Sequence, residues 1–178
     1  MRRSGTLWIA GFLFLIVGAA RAQERYSYTG EVLGGLSGSL DQRTDGFGQK
    51  AWELGVGMVT DDRTQTTLRV GRMDLGDRTV PDLRSPQLDY AVLAGRYSFP
   101  EPAYDTGVFL GLGAYRLDGT LALGDRKRET ALGVELGFTG DFDVTRHLSF
   151  VAELAFHYAF FHETQLYGEG LGGIAVHF

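Results

Sequence analysis

The sequence predicts an all-β protein: an eight-stranded, antiparallel, up-and-down transmembrane β-barrel preceded by a cleavable signal peptide. Three observations predict it. The chain of 178 residues opens on a short basic and then apolar leader. About eight segments of period-two alternation follow, separated by turn residues. The last of these, Gly172 to Phe178, ends on an aromatic residue.

The leader comes first. Arg2 and Arg3 form a basic start, and Leu7 to Ala20 is apolar. That run is too short for a comfortable membrane-spanning helix. Ala20-Arg21-Ala22 has the small-x-small pattern of a cleavage site. Residues 1–22 are therefore expected to be a signal peptide and 23–178 a single barrel domain. The whole chain carries a formal net charge of −5. Removing the leader takes away Arg2, Arg3 and Arg21 and no acid, so the remainder is more acidic still. Such a chain is not expected to bind nucleic acid. It has no Cys, hence no disulfide staples. No later apolar run approaches the roughly 18 residues of a transmembrane helix. If the rest spans a bilayer, it must do so as a closed sheet.

The first strand is expected at 25–36, opening on Tyr26 and Tyr28 with Glu31 between glycines and aliphatics. The second, 48–60, alternates Trp52, Leu54, Val56 and Met58 with Glu53, Gly55 and Gly57. Asp61-Asp62-Arg63 reads as a tight turn into 64–73, where Leu68 and Val70 flank Arg69. The fourth, 87–99, sets Leu88, Tyr90, Val92 and Ala94 against Asp89 and Gly95. Pro100-Glu101-Pro102 ends it, because Pro cannot donate to the ladder. The fifth, 105–117, carries Val108, Leu110, Leu112 and Ala114 against Gly111 and Gly113. The sixth, 128–139, places Leu132, Val134, Leu136 and Phe138 against Gly133, Glu135 and Gly137. The seventh, 148–160, runs from Phe150 through Leu154 to Phe160 with Glu153 and His157 in the other phase. The eighth, 165–178, has Glu169 in one phase and Ile174, Val176 and Phe178 in the other.

Apolar side chains keep even numbers throughout, and small or polar ones keep odd numbers. Directly opposed residues share a face, so each connection should leave an odd number of residues unpaired. Glycine crowds the odd phase. A water-facing surface has no need of Gly, whereas a narrow eight-stranded interior needs small residues to fit. The aromatics Tyr26, Tyr28, Trp52, Tyr90, Phe138, Phe150, Phe156, Tyr158, Phe160 and Phe178 fall in the even phase, many near strand ends. Two such belts suit the two interfaces of a membrane. Even positions such as Leu54, Val92, Leu110, Leu136 and Leu154 are thus expected to face lipid. Glu31, Glu53, Arg69, Asp89, Glu135, Glu153, His157 and Glu169 are expected to form a polar network in the lumen. The inverse arrangement, a soluble lipocalin-like binder of an apolar ligand, would bury the even set.

This alternation, leader and terminal aromatic resemble the small bacterial outer-membrane barrels, typified by the membrane domain of outer membrane protein A and by outer membrane protein X. The resemblance rests on architecture and the last strand. It implies an outer-membrane location in a Gram-negative cell and both termini in the periplasm. The connections near 37–47, 74–86, 118–127 and 161–164 would then face outward. It also implies that Phe178 is a signal read by the barrel assembly machinery. The external connections look short for an adhesin of that class.

The function expected is structural or surface-interacting, without catalysis, cofactor or metal. A narrow pore for small solutes is the alternative, and oligomeric state is open. Arg69 should hydrogen-bond at least one lumen carboxylate, since unpaired buried charges are costly. Outer-membrane deacylases carry a His with a Ser two residues on, but His157 is followed by Tyr158 and Ala159. His162, Glu163 and Thr164 are a weak alternative pair of base and hydroxyl. The four His residues show no zinc-type spacing. Lys50, Arg72, Arg116 and Arg128 share even parity near the outer strand ends, just above Trp52, Tyr90 and Tyr158. They are expected to contact lipopolysaccharide phosphates, for which guanidinium geometry is suited. Gly30, Gly34, Gly168, Gly170 and Gly172 should leave a thin seam between first and last strands.

Overall fold

The computed structural model describes residues 28–40, 47–61, 63–76, 83–100, 104–121, 124–162 and 165–178. The expected signal peptide lies outside them, as do Tyr26, Glu163 and Thr164. Eight antiparallel strands close into one barrel in chain order. They are β1 (Tyr28–Ser39), β2 (Phe47–Asp61), β3 (Thr64–Asp74), β4 (Leu83–Pro100), β5 (Asp105–Leu121), β6 (Arg126–Thr145), β7 (Leu148–Ala159) and β8 (Gln165–His177). Cross-strand partners can be followed once around the sheet. They lead from Gly30 through Val56, Leu68, Leu93, Leu112, Val134, Tyr158 and Leu166 back to Leu40, the residue that follows β1. This stagger between Gly30 and Leu40 is the shear that lets a tilted sheet close. The row it traces is almost wholly apolar.

The barrel is inverted relative to a water-soluble protein. Leu112 is 68% exposed and Leu132 72%, whereas Glu53, Glu135, Glu169 and His157 have no exposure at all. An exterior of this kind is solvated by hydrocarbon, not water. The lipocalin-like arrangement is thereby excluded. Exposed aromatics form belts: Tyr97, Phe99, Tyr104, Phe142, Phe150 and Phe178 near the rim of the termini, and Phe47, Trp52, Tyr158 and Phe160 near the other.

β4 departs from the expected phase. Val92 is 0% exposed, and Leu88, Tyr90 and Ala94 are buried beside it, while Leu93, Tyr97 and Phe99 face out. The cause is a bulge between Arg84 and Gln87. Ser85 there adopts a φ of 46°, and Pro86, with no N–H to pair, occupies a position a ladder does not need. One extra residue moves every later side chain to the opposite face. Leu83, before the bulge, is buried on an odd number; Leu88, after it, is buried on an even one. Across β3 and β4 the partners therefore differ in parity, as in Arg69 with Val92. The β4–β5 connection restores the phase.

β4, β5 and β6 are longer than expected. Their ladder continues to Leu83–Leu121 and Thr120–Arg126, so much of 118–127 is strand and not loop. Asp118 accepts two hydrogen bonds from Arg126, at 2.7 and 2.8 Å, and one from Arg128 at 3.1 Å. At the opposite rim, Asp61 closes the β2–β3 turn. It accepts from the Thr64 hydroxyl at 2.6 Å and from the N–H groups of Arg63 and Thr64, both at 2.9 Å. These bonds, the Thr64 hydroxyl foremost, hold its carboxyl below the usual carboxylate range.

The lumen is filled by pairing large against absent side chains. A Cβ on Gly71 would collide with the Tyr90 ring, and one on Gly137 with the Phe109 ring. In both cases the aromatic is the glycine's direct cross-strand partner. The inward glycines are therefore the floor on which the lumen aromatics lie.

Candidate functional site

The lumen brings together side chains from all eight strands. Arg69 on β3 donates from Nε to Glu53 on β2 at 2.9 Å. A guanidinium nitrogen also donates to Glu153 on β7 and lies 3.5 Å from Glu135 on β6. The same guanidinium sits 4.2 Å from the centroid of Phe109 on β5, where ring and cation attract. Tyr90 on β4 places its hydroxyl 2.8 Å from both Glu53 and Glu169. His157 on β7 puts Nε2 3.0 Å from Glu169 on β8 and Nδ1 3.1 Å from the Tyr115 hydroxyl. A cavity of about 10 Å³ remains between Glu31, Arg69, Arg96, Phe109 and Glu153, the space of one water molecule.

A second ionic group lies nearer the rim of the termini. Arg96 on β4 pairs with Asp141 on β6 and approaches Glu31 on β1 at 3.9 Å. Asp143, Ser149, His177 and Thr29 follow below it: the Ser149 hydroxyl is 2.6 Å from Asp143 and 2.7 Å from His177.

The structure gathers Glu31, Glu53, Arg69, Glu135, Glu153, His157 and Glu169 on the inside. Asp89 is not among them. The β4 bulge turns it outward, where it accepts from Arg72 Nε at 2.6 Å and pairs with Arg116. Arg72, Asp89 and Arg116 are direct neighbours across β3, β4 and β5, beside Trp52 on β2. The outward cations are therefore not a bare positive row. Arg72 and Arg116 share one carboxylate, and Arg126 and Arg128 share Asp118; Lys50 is exposed on the same face. Tyr90 likewise leaves the expected outer belt for the lumen. Arg96 is missing from the expected network for the same reason: its even number places it outside. The signal is present in Arg96 and Ser98 on even numbers beside Leu93, Tyr97 and Phe99 on odd ones.

The seam is small-sided as expected, with Gly34 opposite Gly172 and Gly38 opposite Gly168. Near its far end Phe47 folds over it, within 3.4 Å of where a Gly168 Cβ would stand. At the other end Tyr28 and Phe178 exchange backbone hydrogen bonds of 2.6 and 2.9 Å and stack their rings at 6.1 Å.

Exterior, shear and plugged interior together define a class: the eight-stranded membrane β-barrel with a polar core. No family model matches the chain, and no curated protein matches it. Solved structures do. The chain is similar to Neisserial surface protein A at 14% identity and a TM-score of 0.64, covering 85% of this chain and 96% of that one. It is similar to a major outer membrane protein from Thermus thermophilus at 15% identity and a TM-score of 0.65, covering 87% and 100%. It is also similar to Ail, the attachment invasion locus protein of Yersinia pestis, in complex with the heparin analogue sucrose octasulfate. There the identity is 11% and the TM-score 0.54, covering 86% and 97%. At these identities the likeness establishes the shared barrel fold.

Proposed function

We propose that this protein is an integral outer-membrane barrel with a structural or surface-interaction role and no catalytic activity. The observation that carries the reading is the middle of the lumen: ion pairs and aromatic rings leave a cavity of only about 10 Å³ beside Arg69 and Glu153, while a wider mouth of about 310 Å³ is confined to the rim of the termini. A pathway for solutes needs a continuous wet channel, which eight strands scarcely permit. The apolar exterior and the outer-membrane neighbours support the location. Residues 1–22 serve as the export signal, and Phe178 is the mark read by the assembly machinery. The aligned seam of Tyr28 and Phe178 supports a role for that residue in closure.

The finer reading concerns the outer surface. Lys50, Arg72, Arg116 and Arg128 contact lipopolysaccharide phosphates at the interface, where lipid-facing cations cost little. Ail with its polysulfated sugar is a precedent for anion capture on this fold. Arg72 and Arg116 engage phosphate in competition with Asp89.

The test of the plug is electrical. The purified barrel, reconstituted in planar bilayers, is expected to give no stepwise conductance above that of empty bilayers. Reproducible unitary steps from the parent protein would replace the structural reading with the conduit.

A further inference from the structure

The lumen has more acceptors than donors. Glu53, Glu135, Glu153 and Glu169 are packed around one guanidinium, Arg69, and one imidazole, His157. Even with the imidazole charged, carboxylates outnumber cations by two. The single hydrogen of the Tyr90 hydroxyl serves only one of the two carboxylates it touches. Neither oxygen of Glu135, nor Oε2 of Glu169, has a hydrogen-bond partner among the described residues. Glu135 and Glu169 are both fully buried. His157 can be satisfied in two ways, with Nδ1 or Nε2 carrying the hydrogen. Neither arrangement supplies a hydrogen bond to Glu135, whose Oε1 lies 3.8 Å from Nε2.

We propose that Glu135, His157 and Glu169 form a binding site for one divalent metal ion of the zinc class inside the barrel. The three ligand atoms converge, all within 4.8 Å of one another. Bonds of about 2.1 Å at tetrahedral angles put ligand atoms about 3.4 Å apart. The distances of 3.0 and 3.8 Å from Nε2 to the two carboxylates bracket that value. A metal-bound imidazole ordinarily donates its other N–H to an oxygen, which fixes the ring. The Tyr115 hydroxyl stands 3.1 Å from Nδ1 in that position. The free Oε2 of Glu169 is available as a further donor atom. Metal binding takes the neutral imidazole, so four carboxylates then face Arg69 alone, and a single 2+ ion lowers that excess of three negative charges to one. Mixed His and carboxylate donors select zinc-like ions over calcium, which takes oxygen alone.

The test measures metal in the folded barrel. The protein is refolded in detergent with one equivalent of Zn²⁺, desalted, and its metal content determined. Retention of about one ion per chain is expected, and Co²⁺ in its place should give the visible absorption of a four-coordinate site. His157→Gln and Glu135→Gln should each weaken retention by at least tenfold, while Glu31→Gln, in the other ionic group, should leave it unchanged. Folding of each variant is followed separately by the heat-dependent shift in electrophoretic mobility. Absence of retained metal in the folded parent would overturn the proposal and assign the charge excess to protons. So would equal retention by a folded His157→Gln or Glu135→Gln. If both variants fail to fold, the stoichiometry and the Co²⁺ spectrum of the parent decide.

Discussion

Arg69 shows how much one side chain can organise. It faces Glu53, Glu135 and Glu153 and covers the Phe109 ring. Its odd number in an alternating strand was enough to place it inside. That it would meet at least one lumen carboxylate followed from charge, because a buried carboxylate must find a cation, a proton or water. Removing the cation leaves Glu53 and Glu153 without it in a site that excludes solvent. Arg69→Ala is therefore expected to destabilise the barrel by about 3–5 kcal/mol. The check is the unfolding midpoint in detergent at neutral pH; a midpoint equal to the parent's would show that the network does not depend on this residue. Arg96, in contrast, was not legible from its number. Its side chain looks lipid-facing until the bulge upstream is known.

At the scale of the element, β4 carries the main lesson. From Tyr90 to Ala94 its residues are apolar in both phases, so periodicity there does not fix which face is in. Ser85-Pro86 decided it by a one-residue bulge. That single event sends Tyr90 inward to Glu53 and Glu169 and sends Asp89 outward between Arg72 and Arg116. The outer arginines are thus partly neutralised across β3, β4 and β5. Replacing Lys50, Arg72, Arg116 and Arg128 together with Gln should lower the lipopolysaccharide that co-purifies, at matched ionic strength, with the lipid-free fold unchanged. Asp89→Asn alone should raise it, since both guanidiniums are then free for phosphate. Retention equal to the parent's in the quadruple variant would leave these residues as solvated charge.

For the whole molecule the question is closure. Every backbone group within the hydrocarbon must pair inside the sheet, and β1 meets β8 along an unbroken register from Thr29–His177 to Ser39–Tyr167. Phe178 finishes that seam but remains 69% exposed. Its packing is worth on the order of 1–3 kcal/mol, a modest share of a barrel's stability. Phe178→Ala should accordingly impair insertion in cells more than refolding into detergent. Comparable levels of mutant and parent in isolated outer membranes would remove its role as an assembly mark.

The sequence by itself determined the strand number, the antiparallel closure and the inversion of the barrel. These depend on local alternation, and seven strands keep one parity because the β4–β5 connection undoes the shift of the β4 bulge and the other connections preserve the phase. It also placed Glu31, Glu53, Glu135, Glu153, Glu169, Arg69 and His157 on one face. Only the tertiary structure decided which of them touch. The stagger of the closed sheet brings Arg69 of β3 against Glu153 of β7, and His157 of β7 against Tyr115 of β5. Such contacts across the lumen belong to no pair of neighbouring strands, so no period in the chain records them. The phase of β4 was decided in the same way, because a bulge changes the face without changing the composition.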